Sequence, residues 1–305
     1  MTTISAQVIE DSVSHCEVRL LTYQLRYPRW IHQEVLTHRA FARNASSSRA
    51  IPISRMNQEV LADPAVPLHI GKNQPGMQAH EQISGLARSA AIGLWRAALH
   101  TSVKASQELS DTCGVSKQVA NRLTEAHQHI NVVLSATDFE NFFALRCHPD
   151  AEPHMQILAW RMADAYYAGS TPTLRSLGEW HLPYITAVER EELPLETLKA
   201  CSAARCARVS YKLHDGVTTS VEKDLELHQR LLAGSVAGTG EPGHLSPLEH
   251  QATPLADPAA YSGPFRGWGQ HRKEVVGENT SFDYKAALAK GWRDAAFTVI
   301  PTVKP

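Results

Sequence analysis

Hydrophobic positions along this 305-residue chain change period several times, and each change predicts an element. Across residues 17–27, Arg19, Leu21, Tyr23, Leu25 and Tyr27 recur at the period of two that a strand requires. Pro28 then suits the first turn of a helix. In it Trp30, Ile31, Glu34, Val35 and His38 share one stripe, and the helix should fail by Asn44. Residues 50–80 read as irregular, punctuated by Pro52, Pro64, Pro67 and Pro75. Ile83, Leu86, Ala87, Ala90, Leu94, Ala98 and Val103 predict the longest helix, over 81–109, with Gly114 just past its end. A short helix follows over 117–125, a buried strand over 130–135, a helix over 138–146 and another from Pro153 to about Tyr167. Residues 168–196 are loop-rich and read as a hinge. Residues 197–212 look helical, and Thr219-Ser-Val-Glu222 fits a capping box opening a helix to about Leu232. Residues 234–247 form a Gly/Pro loop, and Glu274-Val-Val reads as a strand.

Composition narrows the class. Thirty Lys+Arg stand against 31 Asp+Glu, so overall charge offers no nucleic-acid attraction. Roughly two domains, or one large one, fit the length. No run of about 18 uncharged apolar residues is present, and the N-terminus has no basic, apolar leader. Five cysteines, at 16, 113, 147, 201 and 206, form no disulfide framework. The expectation is a reduced, cytoplasmic globular protein without internal repeats and without a membrane partner.

Several motifs compete for function. Gly238-Thr-Gly-Glu-Pro-Gly243 matches a dinucleotide fingerprint by letters, but it follows a helix and contains Pro242, so it reads as a loop. His127-x-His129 lacks a third ligand at zinc spacing and reads as structural; no metal is expected. Residues 17–49 hold Arg19, Arg26, Arg29, Arg39, Arg43 and Arg49 against Glu17 and Glu34. Beside Thr37-His38-Arg39 and Ser46-Ser47-Ser48, these guanidiniums suit a phosphate dianion. On residues alone, a phosphorylated small molecule and a nucleic-acid backbone both remain open. Asn141 and Arg146 lie on an otherwise apolar helix, where a buried arginine needs a partner.

These residues carry a resemblance. Thr37-His-Arg, seven residues and Ser47, continuing to Arg49, resembles the RHR-x7-S signature of the flavin-dependent thymidylate synthases. Asn141-Phe-Phe-Ala-Leu-Arg146 is similar to that family's NFxxLR helix. Ala207-Arg-Val-Ser-Tyr211 and Ser246-Pro-Leu-Glu-His250 resemble its ARVSY and PFEH elements. Residues 71–78 are most similar to bacteriophage-encoded members, which would place the protein in the host cell cytoplasm. The last two elements follow the first, whereas in ordinary members they precede it. The chain therefore reads as circularly permuted, a rearrangement that folds tolerate when their termini lie close together. The resemblance implies one composite domain over 1–305. It comprises a body over 1–190, a permuted segment over 197–255 and an extension over 256–305.

The resemblance further implies an α/β (α+β) fold with an antiparallel or mixed sheet and long helices, unlike the Rossmann fold. It implies conversion of dUMP to dTMP using FAD, with NADPH and 5,10-methylenetetrahydrofolate as co-substrates, in a homotetramer whose sites lie between subunits. By position, Arg146 and Ser47 are the catalytic residues. Glu34, Ser47, Ser48, Arg49, Arg122 and Arg146 contact dUMP. Thr37, His38, Arg39, Asn44, Ser135, Asn141, Ser210 and His250 contact FAD. Thr37 stands where the first arginine of the signature belongs, and Glu34 where a glutamine is usual. Ala42 and Ala45 replace polar residues. These departures leave a related 5-hydroxymethylase, acting on dUMP or dCMP, as the alternative. A nucleic-acid-binding module on the arginine-rich segment is the alternative of another class.

Overall fold

The computed structural model describes residues 3–209, 220–233, 243–276, 278 and 283–298. Its centre is a five-stranded mixed sheet in the order β3-β4-β2-β1-β5. β1 (Ser5–Ser14) and β2 (Arg19–Pro28) form a hairpin, and β4 (His129–Ala136) pairs antiparallel to β2. β3 (Ala42–Ala45) adds antiparallel to β4, and β5 (Thr173–Arg175) adds parallel to β1. The expected sheet class is therefore present. β1 is an addition, since its polar face masks the alternation that marks β2.

Both faces of β2 are covered, which is why it is buried almost throughout. Leu21, Tyr23, Leu25 and Tyr27 face one core with Ile130, Val132 and Leu134. Two helices close that core, α5 (Glu140–Arg146) with Phe142 and α6 (Pro153–Tyr167) with Met155, Leu158 and Met162. On the other face, Val18, Leu20 and Ala42 meet Ala252, Phe265 and Trp268. Val133 there meets Cys206 and Val209, at the end of α8 (Leu195–Arg208). A buried ion network ties α8 to its neighbours. Asp224 of α9 (Val221–Ala233) receives Arg205 Nε and Arg208 Nη2 at 2.9 and 2.7 Å.

Several expected elements differ. The helix after Pro28 is a 3-10 turn, Arg29–Ile31, followed by α1 (His32–Leu36), and it stops well before Asn44. Side chains end it. Thr37 Oγ1 donates to the Glu34 carbonyl, and Arg43 Nη1 donates to the carbonyls of Val35 and His38. The supposedly irregular 50–80 stretch contains α2 (Ile53–Ala62), opened by Pro52 and anchored by Met56 and Val60. The short helix expected over 117–125 is one turn, α4 (Lys117–Ala120), continued as a 3-10 segment, Asn121–His127.

The long helix, α3 (Gly85–Asp111), forms as expected, yet Leu86 and Leu94 are 90% and 74% exposed. Periodicity specified the stripe, and the chain buries only Leu99 and its neighbours against α2. Residues 168–196 are more than a hinge, since they carry β5 and α7 (Ala187–Glu192). The strand expected at Glu274 is a 3-10 turn, His271–Glu274, closed by the His271 Nδ1–Glu274 Oε2 contact at 2.9 Å. Thr219 and most of the 238–243 loop lie outside the described residues; Ser220 Oγ accepts from the Lys223 amide at the start of α9.

Candidate active site

Arg146, the last residue of α5, points at α1. Its Nε donates to His38 Nε2 at 3.0 Å, Nη1 to Glu34 Oε2 at 2.8 Å and Nη2 to Thr37 Oγ1 at 3.3 Å. A guanidinium has five N–H groups, so two remain for a ligand. Arg146 and Glu34 line a cleft of about 600 Å³, together with His69, Gln78, His80, Glu152 and Gln156. His38 must accept from Arg146 through a neutral ring. Burial, and then the charges of Arg146 and Arg43, hold its pKa below the usual value. Its ring is gripped by Phe41, stacked at 5.8 Å, and by the edge of Phe142 at 4.9 Å. Burial raises the Glu34 pKa, and Arg146 opposes that rise.

The second group lies on the turn after β3. Ser48 Oγ donates to Glu125 Oε1 at 2.7 Å, and Arg122 Nη1 pairs with the same oxygen at 3.4 Å. Asn121 Nδ2 holds the turn by donating to the carbonyls of Ser48 and Ile51. Arg29 Nη2 donates to the Ser46 carbonyl, while its Nε is buried without a partner. Burial pushes the Arg29 pKa down. Among the described residues, the Ser47 hydroxyl and the Arg49 guanidinium make no hydrogen bond or ion pair, and Arg49 is exposed. No hydrogen bond among the described residues joins this group to Arg146.

The third group is buried under the sheet. Ser135 Oγ contacts His250 Nδ1 at 2.8 Å and Thr22 Oγ1 at 2.6 Å. Asn44 Nδ2 donates to the Cys206 carbonyl at 2.8 Å. Thus β3 and β4 carry the 246–250 turn and the end of α8. Asn141 and Arg39 are exposed, and neither side chain is engaged among the described residues. Ser210 lies outside the described residues. The His127 and His129 rings border a separate cleft of about 270 Å³ with Arg26 and Asp63. No group of three metal-ligating side chains occurs among the described residues.

Residues 5–168 match the sequence model of a family described as thymidylate synthase complementing protein. The chain belongs to that family, the flavin-dependent thymidylate synthases. It is thereby a methyltransferase of pyrimidine nucleotides. No curated protein matches the sequence. Two solved structures of a UMP/dUMP methylase, PolB from Streptomyces cacaoi, are similar over 54% of this chain. The complex with 5-Br UMP is 16% identical, is covered over 89% of its length and has a TM-score of 0.45. The complex with 5-Br dUMP is 14% identical, is covered over 90% and has a TM-score of 0.46.

In this chain the matched span contains the Thr37–Arg49 and Asn141–Arg146 elements. The elements at 207–211 and 246–250 lie beyond it. Sequence reading missed Glu125, which joins Ser48 to Arg122, and also Thr22 and His181, which continue the buried group behind Ser135. Glu125 lies three residues from Arg122, a helical spacing that was legible. Nothing local marks Thr22 or His181, since they are 159 residues apart.

Proposed function

We propose that the protein is an FAD-dependent thymidylate synthase that converts dUMP to dTMP with 5,10-methylenetetrahydrofolate and NADPH. The observation that carries the reading is the Arg146 guanidinium, anchored on three sides by Glu34, Thr37 and His38 with two N–H groups to spare. Those N–H groups suit a uracil carbonyl. A fixed cation there stabilises the negative charge that builds on the ring as C5 becomes nucleophilic. Anchoring means that little reorganisation is needed when the charge develops. The Glu34 carboxylate suits the adjacent ring N–H, which it would accept. Ser47, Arg49 and Arg122, with the Ser48 turn, suit the phosphate: a hydroxyl, two cations and turn amides for one dianion.

The residues also suit the cofactor. His250 Nε2 is buried without a partner, and the Asn141 amide and Arg39 guanidinium are exposed and unengaged among the described residues. With His38, Asn44 and the residue at 210, these would hold FAD. When bound, FAD supplies the redox and one-carbon chemistry that no side chain here provides. Among the described residues, no hydrogen bond links the Arg146 group to the Ser48–Arg122 group. By the resemblance to its family, the site would be completed between copies of a homotetramer. The contacts of Asn44 with Cys206 and of Ser135 with His250 support the permuted, composite domain.

The test is the flavin absorbance of the purified protein, followed by mass spectrometry of dUMP incubated with methylenetetrahydrofolate and NADPH. Addition of a methyl group is the expected result. A hydroxymethyl gain would instead identify the 5-hydroxymethylase. A colourless protein that does not take up added FAD would end the flavin reading.

A further inference from the structure

A single line of hydrogen bonds runs through the sheet from Ser12 to His250. Ser12 Oγ meets His181 Nδ1 at 2.9 Å, and His181 Nε2 meets Thr22 Oγ1 at 2.7 Å. Thr22 Oγ1 meets Ser135 Oγ at 2.6 Å, and Ser135 Oγ meets His250 Nδ1 at 2.8 Å. All five side chains are 0% exposed. Burial lowers the pKa of both imidazoles, that of His250 to about 3 and that of His181 well below its usual value, with Arg175 and Arg190 adding to the latter. Both rings are therefore neutral at neutral pH, each with one donor and one acceptor nitrogen.

Counting protons along this line fixes its direction. Among the described residues, Ser12 Oγ has no partner besides His181. If Ser12 donates to His181 Nδ1, then His181 Nε2–H donates to Thr22, Thr22 to Ser135, and Ser135 to His250 Nδ1. Every proton inside the line is used, and the line ends in an N–H at His250 Nε2. In the opposite direction, Ser12 keeps a buried O–H without an acceptor, and His250 Nε2 is a lone pair that also lacks a partner. The first direction leaves one buried group to pair, the His250 Nε2–H, which an acceptor ligand would satisfy; the second leaves two, a hydroxyl at one end and a lone pair at the other, and is roughly tenfold rarer.

We propose that Ser12 and His181 are positioning residues that hold His250 as its Nε2–H tautomer, so that His250 presents a hydrogen-bond donor to the ligand it meets. The ligand group must then be an acceptor, such as a ring nitrogen or carbonyl. Resting on the flavin reading above, that group belongs to the isoalloxazine. His181 touches no reacting atom. Its role is to carry the polarity set by Ser12 across three strands to the site.

Long-range ¹H–¹⁵N spectra of the full chain labelled at its 16 histidines read the tautomers directly. The His181 and His250 signals are assigned by their loss in His181→Gln and His250→Gln. The wild-type protein should show Nε2–H at both rings. Ser12→Ala removes the terminal donor, and the Nδ1–H form of His250 should rise about tenfold, while the melting temperature falls by only a few degrees because one buried nitrogen of His181 loses its partner. Ser135→Ala cuts the line next to His250, so Ser12→Ala added to it should leave His250 unaffected. An Nδ1–H tautomer of His250 in the wild type, or a His250 spectrum insensitive to Ser12→Ala, overturns the proposal. These spectra need no cofactor. Added FAD should move the Nε2–H resonance, and Ser12→Ala should make the bound flavin harder to reduce. An unmoved resonance at saturating FAD counts against flavin as the ligand, while the tautomer assignment stands on the cofactor-free spectra.

Discussion

Arg146 on α5 and Glu34 on α1 are 112 residues apart in the chain, and their side chains meet at 2.8 Å on the wall of the cleft. Both are partly exposed, at 21% and 33% of their side-chain surface, so the pair is a surface-edge bridge. It contributes little to stability and much to orientation. Glu34 holds the guanidinium in place and adds a negative charge beside the anion the site is proposed to take.

Arg146→Ala should lower kcat about 100- to 1000-fold, the usual loss when one stabilising donor is removed from a developing anion. FAD content should stay at the wild-type level. Single-turnover assays with absorbance at the flavin band separate the two effects. Turnover near wild type would show that the guanidinium does not act on the pyrimidine.

Glu34→Gln keeps the shape of the anchor and removes its charge. Binding of dUMP should tighten several-fold, and the gain should shrink as salt rises, because the lost repulsion is electrostatic. Titration calorimetry at two ionic strengths measures it. Weaker binding would mean that the hydrogen bond the carboxylate accepts from the ring N–H outweighs its repulsion of the dianion.

Ser47→Ala and Arg49→Ala should each raise the KM for dUMP about tenfold while kcat falls less, since phosphate contacts bind substrate and product alike. Arg49→Ala should also reduce the salt dependence of dUMP binding. Equal loss of kcat and kcat/KM would place these residues at the reacting ring instead.

Acid should loosen the α7–α8–α9 corner. Hydrogen bonds from Arg205, the largest influence, hold the Glu189 pKa down to about 2, with Thr186 adding its amide and hydroxyl. A depressed carboxylate stabilises the fold above its unfolded pKa, near 4.5, and that contribution is lost as pH falls toward 2. Glu189→Gln should therefore cost on the order of 1 kcal/mol at pH 7 after solvent screening. The difference from wild type should vanish near pH 2. Urea midpoints across this range provide the check, and a constant offset at all pH values would contradict it.

Trp268→Ala should destabilise the chain by about 3–5 kcal/mol, because a fully buried indole is deleted together with its donor bond. Trp268 packs on Val18 and Leu20, and its Nε1 donates to the Val18 carbonyl at 3.0 Å. Chemical denaturation measures the loss. A small change would mean that the 252–270 segment is not needed to cover that face of the sheet.

Local physics is readable one segment at a time, and there the sequence sufficed. Alternation marked β2, Pro153 opened α6, and the spacing from Gly85 onward marked α3. The Thr37–Arg49 and Asn141–Arg146 motifs singled out Thr37, His38 and Arg146, which the fold brings into contact. Tertiary structure decided what depends on distant side chains. Arg43 reaches back to cap α1 and makes room for β3, which no period in the sequence announces. Leu86 and Leu94 follow a helical rhythm but find no core, since a stripe says which residues share a face and not what meets that face. The line from Ser12 to His250 draws on β1, β2, β4 and two later loops, so it exists only once the sheet has set its register. Hydrogen bonds with no sequence proximity are satisfied by folding alone, and here they determine which nitrogen of His250 carries the proton.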